Sequence, residues 1–252
     1  MTTLSEFFAS PMHWGILFFC ALLIGMAKTG VQGITIISIP LLAMAFGAKE
    51  STGVILPILC IADVFAVIYY RQTAKWKYVF RLLPAAIAGL FVAIVVDKFI
   101  PHEAFKHLLG FCIFLGLAIM IWGEFKNPNE NTITDKWWYS VLFGIMGGFT
   151  TMIGNAAGSV MAVYLLSMRM PKLAFVGTNA WFFLVINYLK IPLQVFAWDN
   201  ISLFTLTLDF ICIPIIFVGA LLGIWFTKKL PDKAYRIFVI VMTLISTLAM
   251  IW

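Results

Sequence analysis

Lys28 stands at the end of a long uncharged run and opens the segment KTGVQG (residues 28–33). An ionisable side chain this deep in an apolar stretch normally faces a cavity or a partner, because lipid or a dry core penalises its charge. Gly30 and Gly33 follow it, and glycine lowers helix propensity while letting backbones approach closely. A helix broken there begins again with unpaired N–H groups and a positive dipole end beside the amine. That combination holds an anion, and Lys28, Thr29, Gly30, Gln32 and Gly33 are its candidates. A second weak point, GFTTMIGNAAG (residues 148–158), offers Gly154, Asn155 and Gly158 with Thr150 and Thr151 nearby: hydrogen bonds without charge. The glycines alone are equally well read as close-packing residues of membrane helices; Lys28 tips the balance to binding.

Asp63 is mid-span in a run with no other charge, so it can pair with Lys28 or take up a proton as a site opens and closes. In its proton-coupling role, Asp63→Asn should abolish pH-driven uptake and leave exchange. Lys190, in NYLKIP, is nearer the end of its span and is expected to reach toward the interface; it and Asn187 are secondary site candidates, with Lys190→Met costing less affinity than Lys28→Met. Asp209, near the start of its span, ranks lower still. His13, His102 and His107 are too scattered for a metal site or proton wire, and Cys20, Cys60, Cys112 and Cys212 fall singly in apolar runs without ligand spacing. No metal or cofactor is expected, and no nucleophile with a base in reach suggests an enzyme.

These residues need helices to place them. The chain is 63% hydrophobic and 11% charged, against about 25% charged in soluble domains. A hydrocarbon core of about 30 Å takes about 20 apolar residues per helix. Residues 52–70, 78–96, 104–122, 173–197, 203–226 and 234–252 each supply one ordinary span. Residues 14–46 and 137–168 are too long for one; the first would reach roughly 50 Å as a straight helix. Each is therefore read as two helices meeting at a break. The net charge of +6 sits in short loops rather than in a basic stripe, which argues against nucleic acid. The N-terminus lacks the basic region of a cleaved signal, so the first span is expected to stay.

The sequence also matches itself. Sliding one half along the other lays LAIMIW (residues 117–122) over TLAMIW (residues 247–252), Pro84 and Gly89 over Pro214 and Gly219, and, at a slightly smaller shift, Gly30, Gly53 and Asp63 over Gly154, Gly177 and Asn187. Two repeats follow, 14–122 and 137–252, joined by 123–136 in a single transport domain covering 1–252. Cytoplasmic loops collect Lys and Arg. Arg71, Lys75, Lys77 and Arg81 form the basic loop of the first repeat, Lys228, Lys229, Lys233 and Arg236 that of the second, and the two are not equivalent positions. The repeats are therefore inverted. The expected fold class is all-α: a polytopic helical membrane protein of two inverted repeats, each with a broken N-terminal helix pair and three spans, about 8 to 10 membrane helices in all. Each broken segment either crosses twice, placing both termini outside, or returns as a re-entrant hairpin. Inverted repeats with broken helices bind near the midplane at the repeat interface.

At KTGVQG with IPLL (residues 39–42), NAAG (residues 155–158) and GTNAWFFLVINYLKIP (residues 177–192), nearly the whole chain resembles the TauE/SafE sulfite exporter family, in particular a branch reading Lys-Thr-Gly-x-x-Gly followed by an aspartate. The resemblance implies transport of sulfite, sulfonates or related small organic anions across the bacterial cytoplasmic membrane, and brings Thr178 and Asn179 into the binding candidates. The partners implied are a small anion, the lipid bilayer and protons as a coupling ion. An anion channel and a membrane scaffold are the competing readings.

Overall fold

The structure, a computed structural model, describes residues 11–96, 136–155 and 157–251, and within these the chain is all-helical. The helices are α1 (Pro11–Lys28), α2 (Thr35–Phe46), α3 (Ala48–Tyr70), α4 (Trp76–Val96), α5 (Trp137–Gly154), α6 (Ala157–Ser167), α7 (Lys172–Leu193), α8 (Leu203–Lys229) and α9 (Asp232–Ile251). Five of them are long and apolar enough to cross a membrane. The expected span at 104–122, with Cys112, His102, His107 and the first copy of the LAIMIW match, lies outside the described residues.

Both long apolar stretches break where glycine weakens them. α1 stops at Lys28, and Gly30 and Gly33 carry φ of 137° and 86°, values that β-carbon-bearing residues rarely adopt. α5 stops at Gly154, and Asn155 closes it in the left-handed conformation. In each case the following helix folds back along its predecessor. The Cys20 thiol lies 3.8 Å from the Ser38 carbonyl, and the Ser140 and Tyr164 hydroxyls are 2.9 Å apart. α2 has 12 residues and α6 has 11, about 18 Å each at 1.5 Å per residue, well short of a 30 Å hydrocarbon core.

α8 packs on α1, and α4 packs on α5. Along α1 and α8, a Cβ on Gly25 would fall 2.3 Å from the Ile216 carbonyl oxygen and one on Gly219 2.2 Å from that of Leu22. Along α4 and α5, a Cβ on Gly148 would fall 1.9 Å from the Ala86 oxygen and one on Gly89 2.3 Å from that of Ile145. Gly223 meets Met26 one turn beyond the Gly219–Leu22 contact, and Gly144 meets Leu82 one turn before the Gly148–Ala86 contact, so residue numbers rise together and both pairs are parallel. α3 and α7 cross the centre antiparallel: Gly53 packs on Asn200, Asp63 meets Asn187, and Gly177 packs on residues 70–74. Two apolar clusters flank that central pair. One joins α4, α5, α6 and α7 around Tyr164 and Phe182. The other joins α1, α3 and α8 around Leu17, Ile58 and Ile216.

The basic turns gather at one end. Thr73 donates to the Leu173 carbonyl at 2.8 Å, Lys172 donates to the Leu230 carbonyl, and the Lys228 ammonium lies 5.1 Å from the Tyr69 ring centre.

Candidate functional site

Both helix breaks open on one small cavity. Its wall contains Lys28, Gln32, Gly33 and Thr35 from the first break, Thr151, Asn155 and Gly158 from the second, Leu59 from α3, and Asn179, Phe183 and Asn187 from α7. The α7 residues recur every four positions, and Lys190 follows three later; this is the spacing of one helix face. The first turns of α2 and α6 both reach the cavity. The N-cap of α2, Ile34, makes no side-chain cap bond, so that turn keeps donors of the kind anions bind.

Lys28 and Asp63 form an ion pair, Nζ lying 2.9 Å from Oδ1 and 3.2 Å from Oδ2. Asp63 is 0% exposed and also accepts from Asn187 Nδ2 at 2.7 Å. Phe183 lies under the ammonium, 4.0 Å from ring centre to Nζ, a cation–π contact that helps a cation shed water. The sequence-level pairing of Lys28 with Asp63 is thus the geometry found.

Lys190 departs from expectation. It does not reach the interface: it is 0% exposed and donates to the Thr151 carbonyl at 2.6 Å, the Thr151 hydroxyl at 3.2 Å and Asn155 Oδ1 at 2.5 Å. α7 does run past Lys190 and Pro192 into a π-helical turn, Gln194–Trp198, as the span 173–197 requires. The reason is that the break between α5 and α6 lies against this face of α7 and supplies Thr151 and Asn155 as acceptors. All three acceptors are neutral. Thr151 and Asn155 both stand in the cavity wall, with Lys190 behind them.

Four amide side chains in the wall keep unused capacity. Among the described residues, Gln32 Nε2 and Asn155 Nδ2 are buried donors without an acceptor, and Asn179 Oδ1 and Asn187 Oδ1 are acceptors without a donor. Buried polar groups are almost always paired, so four unmet groups around one cavity point to a ligand.

Other candidates lie elsewhere. The Thr29 hydroxyl is turned away, donating to the Gly25 carbonyl at 3.0 Å and the Ala220 carbonyl at 2.9 Å. Gly30 packs on Thr227. Gly154 ends α5 just behind Asn155. Thr178 accepts from the Lys75 N–H at 2.9 Å at the basic end of the molecule. Tyr70 and Tyr235, unnoticed in the sequence, hold the open carbonyls of the first break: Tyr70 donates to Thr29 O at 3.1 Å and Tyr235 to Gly30 O at 2.8 Å. Phe183 was legible only as the residue one turn before Asn187.

The cavity measures about 30 Å³, room for about two water-sized spheres. A larger one of about 280 Å³ opens at the basic end, lined by Arg169, Lys172, Lys233 and Arg236 with Asp232 and Tyr235. Tyr235 therefore stands in that wall and reaches the first break.

A family model described as Sulfite exporter TauE/SafE matches residues 17–250. No curated protein and no solved structure matches the sequence.

Proposed function

Since the chain belongs to the TauE/SafE sulfite exporter family, and so to multi-pass membrane transporters, we propose that it is a secondary transporter carrying sulfite, a sulfonate or a related small organic anion across the cytoplasmic membrane through the cavity between its two helix breaks. One observation carries the proposal: unmet amide donors and two helix N-termini surround a cavity beside a lysine that pairs with no carboxylate among the described residues. Lys28 and Asp63 cancel, while Lys190 has neutral partners only. With Lys190 protonated, as a bound anion would favour, the described groups around the cavity sum to one positive charge, and a buried charge is costly until paired. A monovalent oxyanion supplies the missing charge and accepts from Gln32 Nε2 and Asn155 Nδ2. Lys190 rather than Lys28 is then the principal electrostatic attraction, a reordering of what the sequence alone suggests.

The exchange of partners between halves supports an inverted repeat. Parallel α1–α8 and α4–α5 contacts, with antiparallel α3 and α7 meeting at Asp63 and Asn187, are what a two-fold axis in the membrane plane generates. The 30 Å³ cavity is too small for a sulfonate, so the loaded form is wider and access alternates. The basic cavity behind Tyr235 is the approach for anions from the cytoplasmic side.

Flux into proteoliposomes tests this with sulfite, a sulfonate and a carboxylate. Saturable uptake of the sulfur oxyanions is expected, with Lys190→Met lowering apparent affinity by ten-fold or more while folded yield holds. Unsaturable current would make the protein a channel, and binding without flux a scaffold. Undiminished affinity in Lys190→Met would remove the proposed site.

A further inference from the structure

Asp209 is the seventh residue of α8, about 9 Å from its start at 1.5 Å per residue. Its place near the start of a span suggested an interfacial side chain, and the fold corrects this: Asp209 is 1% exposed. Among the described residues neither carboxyl oxygen has a hydrogen-bond donor. The reason lies in what packs there. Leu208 and Cys212, its neighbours along α8, belong to the apolar cluster with Leu17 and Cys20 of α1 and Ile55, Ile58 and Leu59 of α3. The first turn of α8 cannot serve the carboxyl either, since Ser202 and Thr205 already cap it reciprocally.

An ionised carboxylate in such surroundings is far costlier than the neutral acid. Asp63 differs: two donors, one of them cationic, hold its charge in place. The titratable groups brought to this part of α8 are thiols, Cys60 from α3, Cys20 from α1 and Cys212 on α8 itself. His13 sits in the first turn of α1, and Lys28 at its other end is engaged by Asp63. Among the described residues no ammonium, guanidinium or imidazole donates to the Asp209 carboxyl.

Asp209 is also connected to the site. Cys60 lies within electrostatic reach of both Asp209 and Asp63, and α8 grips the first break directly, Thr29 donating to Ala220 O at 2.9 Å and Thr227 donating to Thr29 O at 3.3 Å. Any movement of α1 and α2 that widens the anion cavity disturbs the α1–α8 contact.

We propose that Asp209, not Asp63, is the proton-binding site of this chain: its carboxyl holds a proton in the closed form and gives it up to water when α1 and α8 part. In the reverse step a proton from water adds to the carboxylate as the contact closes. The linkage to anion movement rests on the transport reading above; the protonation itself does not.

Infrared spectroscopy of the purified protein in lipid, combined with flux, tests the proposal. The carbonyl band of a protonated carboxylic acid is expected at neutral pH in the wild type and in Asp63→Asn, and is expected to vanish in Asp209→Asn. Proton-gradient-driven anion uptake should fall at least ten-fold in Asp209→Asn while anion exchange persists. Should the asparagine variant fail to fold, Asp209→Leu, which suits the apolar cluster, replaces it. A band absent from the wild type, a band retained in the variant, or unchanged gradient dependence would each overturn the proposal. If the wild type moved no anion, the transport reading would fail, and the band would still decide whether Asp209 carries a proton.

Discussion

Lys28 and Asp63 keep each other tolerable in an interior that excludes water, and this sets what happens when either is removed. Asp63→Asn leaves a buried ammonium without its counter-charge, a change that costs about 3–5 kcal/mol in comparable pairs. A marked drop in thermal stability is expected, measurable by unfolding in detergent. The double variant Lys28→Met, Asp63→Leu removes both charges and should regain most of that stability. If the double variant were no more stable than Asp63→Asn, the pair would not be the source of the loss. Among the described residues Lys190 has no such counter-charge, so Lys190→Met is expected to spare stability and reduce binding.

Glycines in the helices divide by what surrounds them. Gly148 lies so close to α4 that an added methyl would sit 1.9 Å from the Ala86 oxygen, and backbone cannot yield as a flexible side chain does. Gly148→Ala should therefore separate α4 from α5 and cost about 1–3 kcal/mol, the usual range for overpacking. Gly158 has nothing within 4 Å of a β-carbon, although it lines the cavity at the first turn of α6. Gly158→Val is expected to fold as the wild type does and to lose anion affinity, because it fills space at a helix N-terminus rather than a helix contact. Thermal unfolding and anion-induced thermal shifts, measured on both variants, separate the two effects; equal loss of folding in both would contradict the assignment of Gly158 to the site.

At the scale of the molecule, the basic turns at residues 71–75, 169–172 and 228–233 lie together, and positive loops favour the cytoplasm. Cysteines introduced at Lys75 and Lys229, both exposed, should be labelled from that same face. Labelling from opposite faces would rule out the inverted arrangement.

Composition and spacing alone made the chain a helical membrane protein, placed both breaks at their glycines and singled out Lys28 and Asp63, because these depend on local propensity and on charge in an apolar run. Asn155 and Gly158 were also legible, as polar and flexible residues at a break. What the sequence misjudged was depth. Lys190 and Asp209 were read by their distance from a span end, whereas burial depends on which neighbouring helix covers the residue. The break between α5 and α6 covers Lys190; α1 and α3 pack against the part of α8 that carries Asp209. That Thr29 and Thr178 turn away from the cavity, that Tyr70 and Tyr235 hold the first break, and that Lys190 meets Thr151 and Asn155 are all set by contacts between residues far apart in the chain. Only tertiary packing decides these, because no local pattern records which partner a side chain will meet.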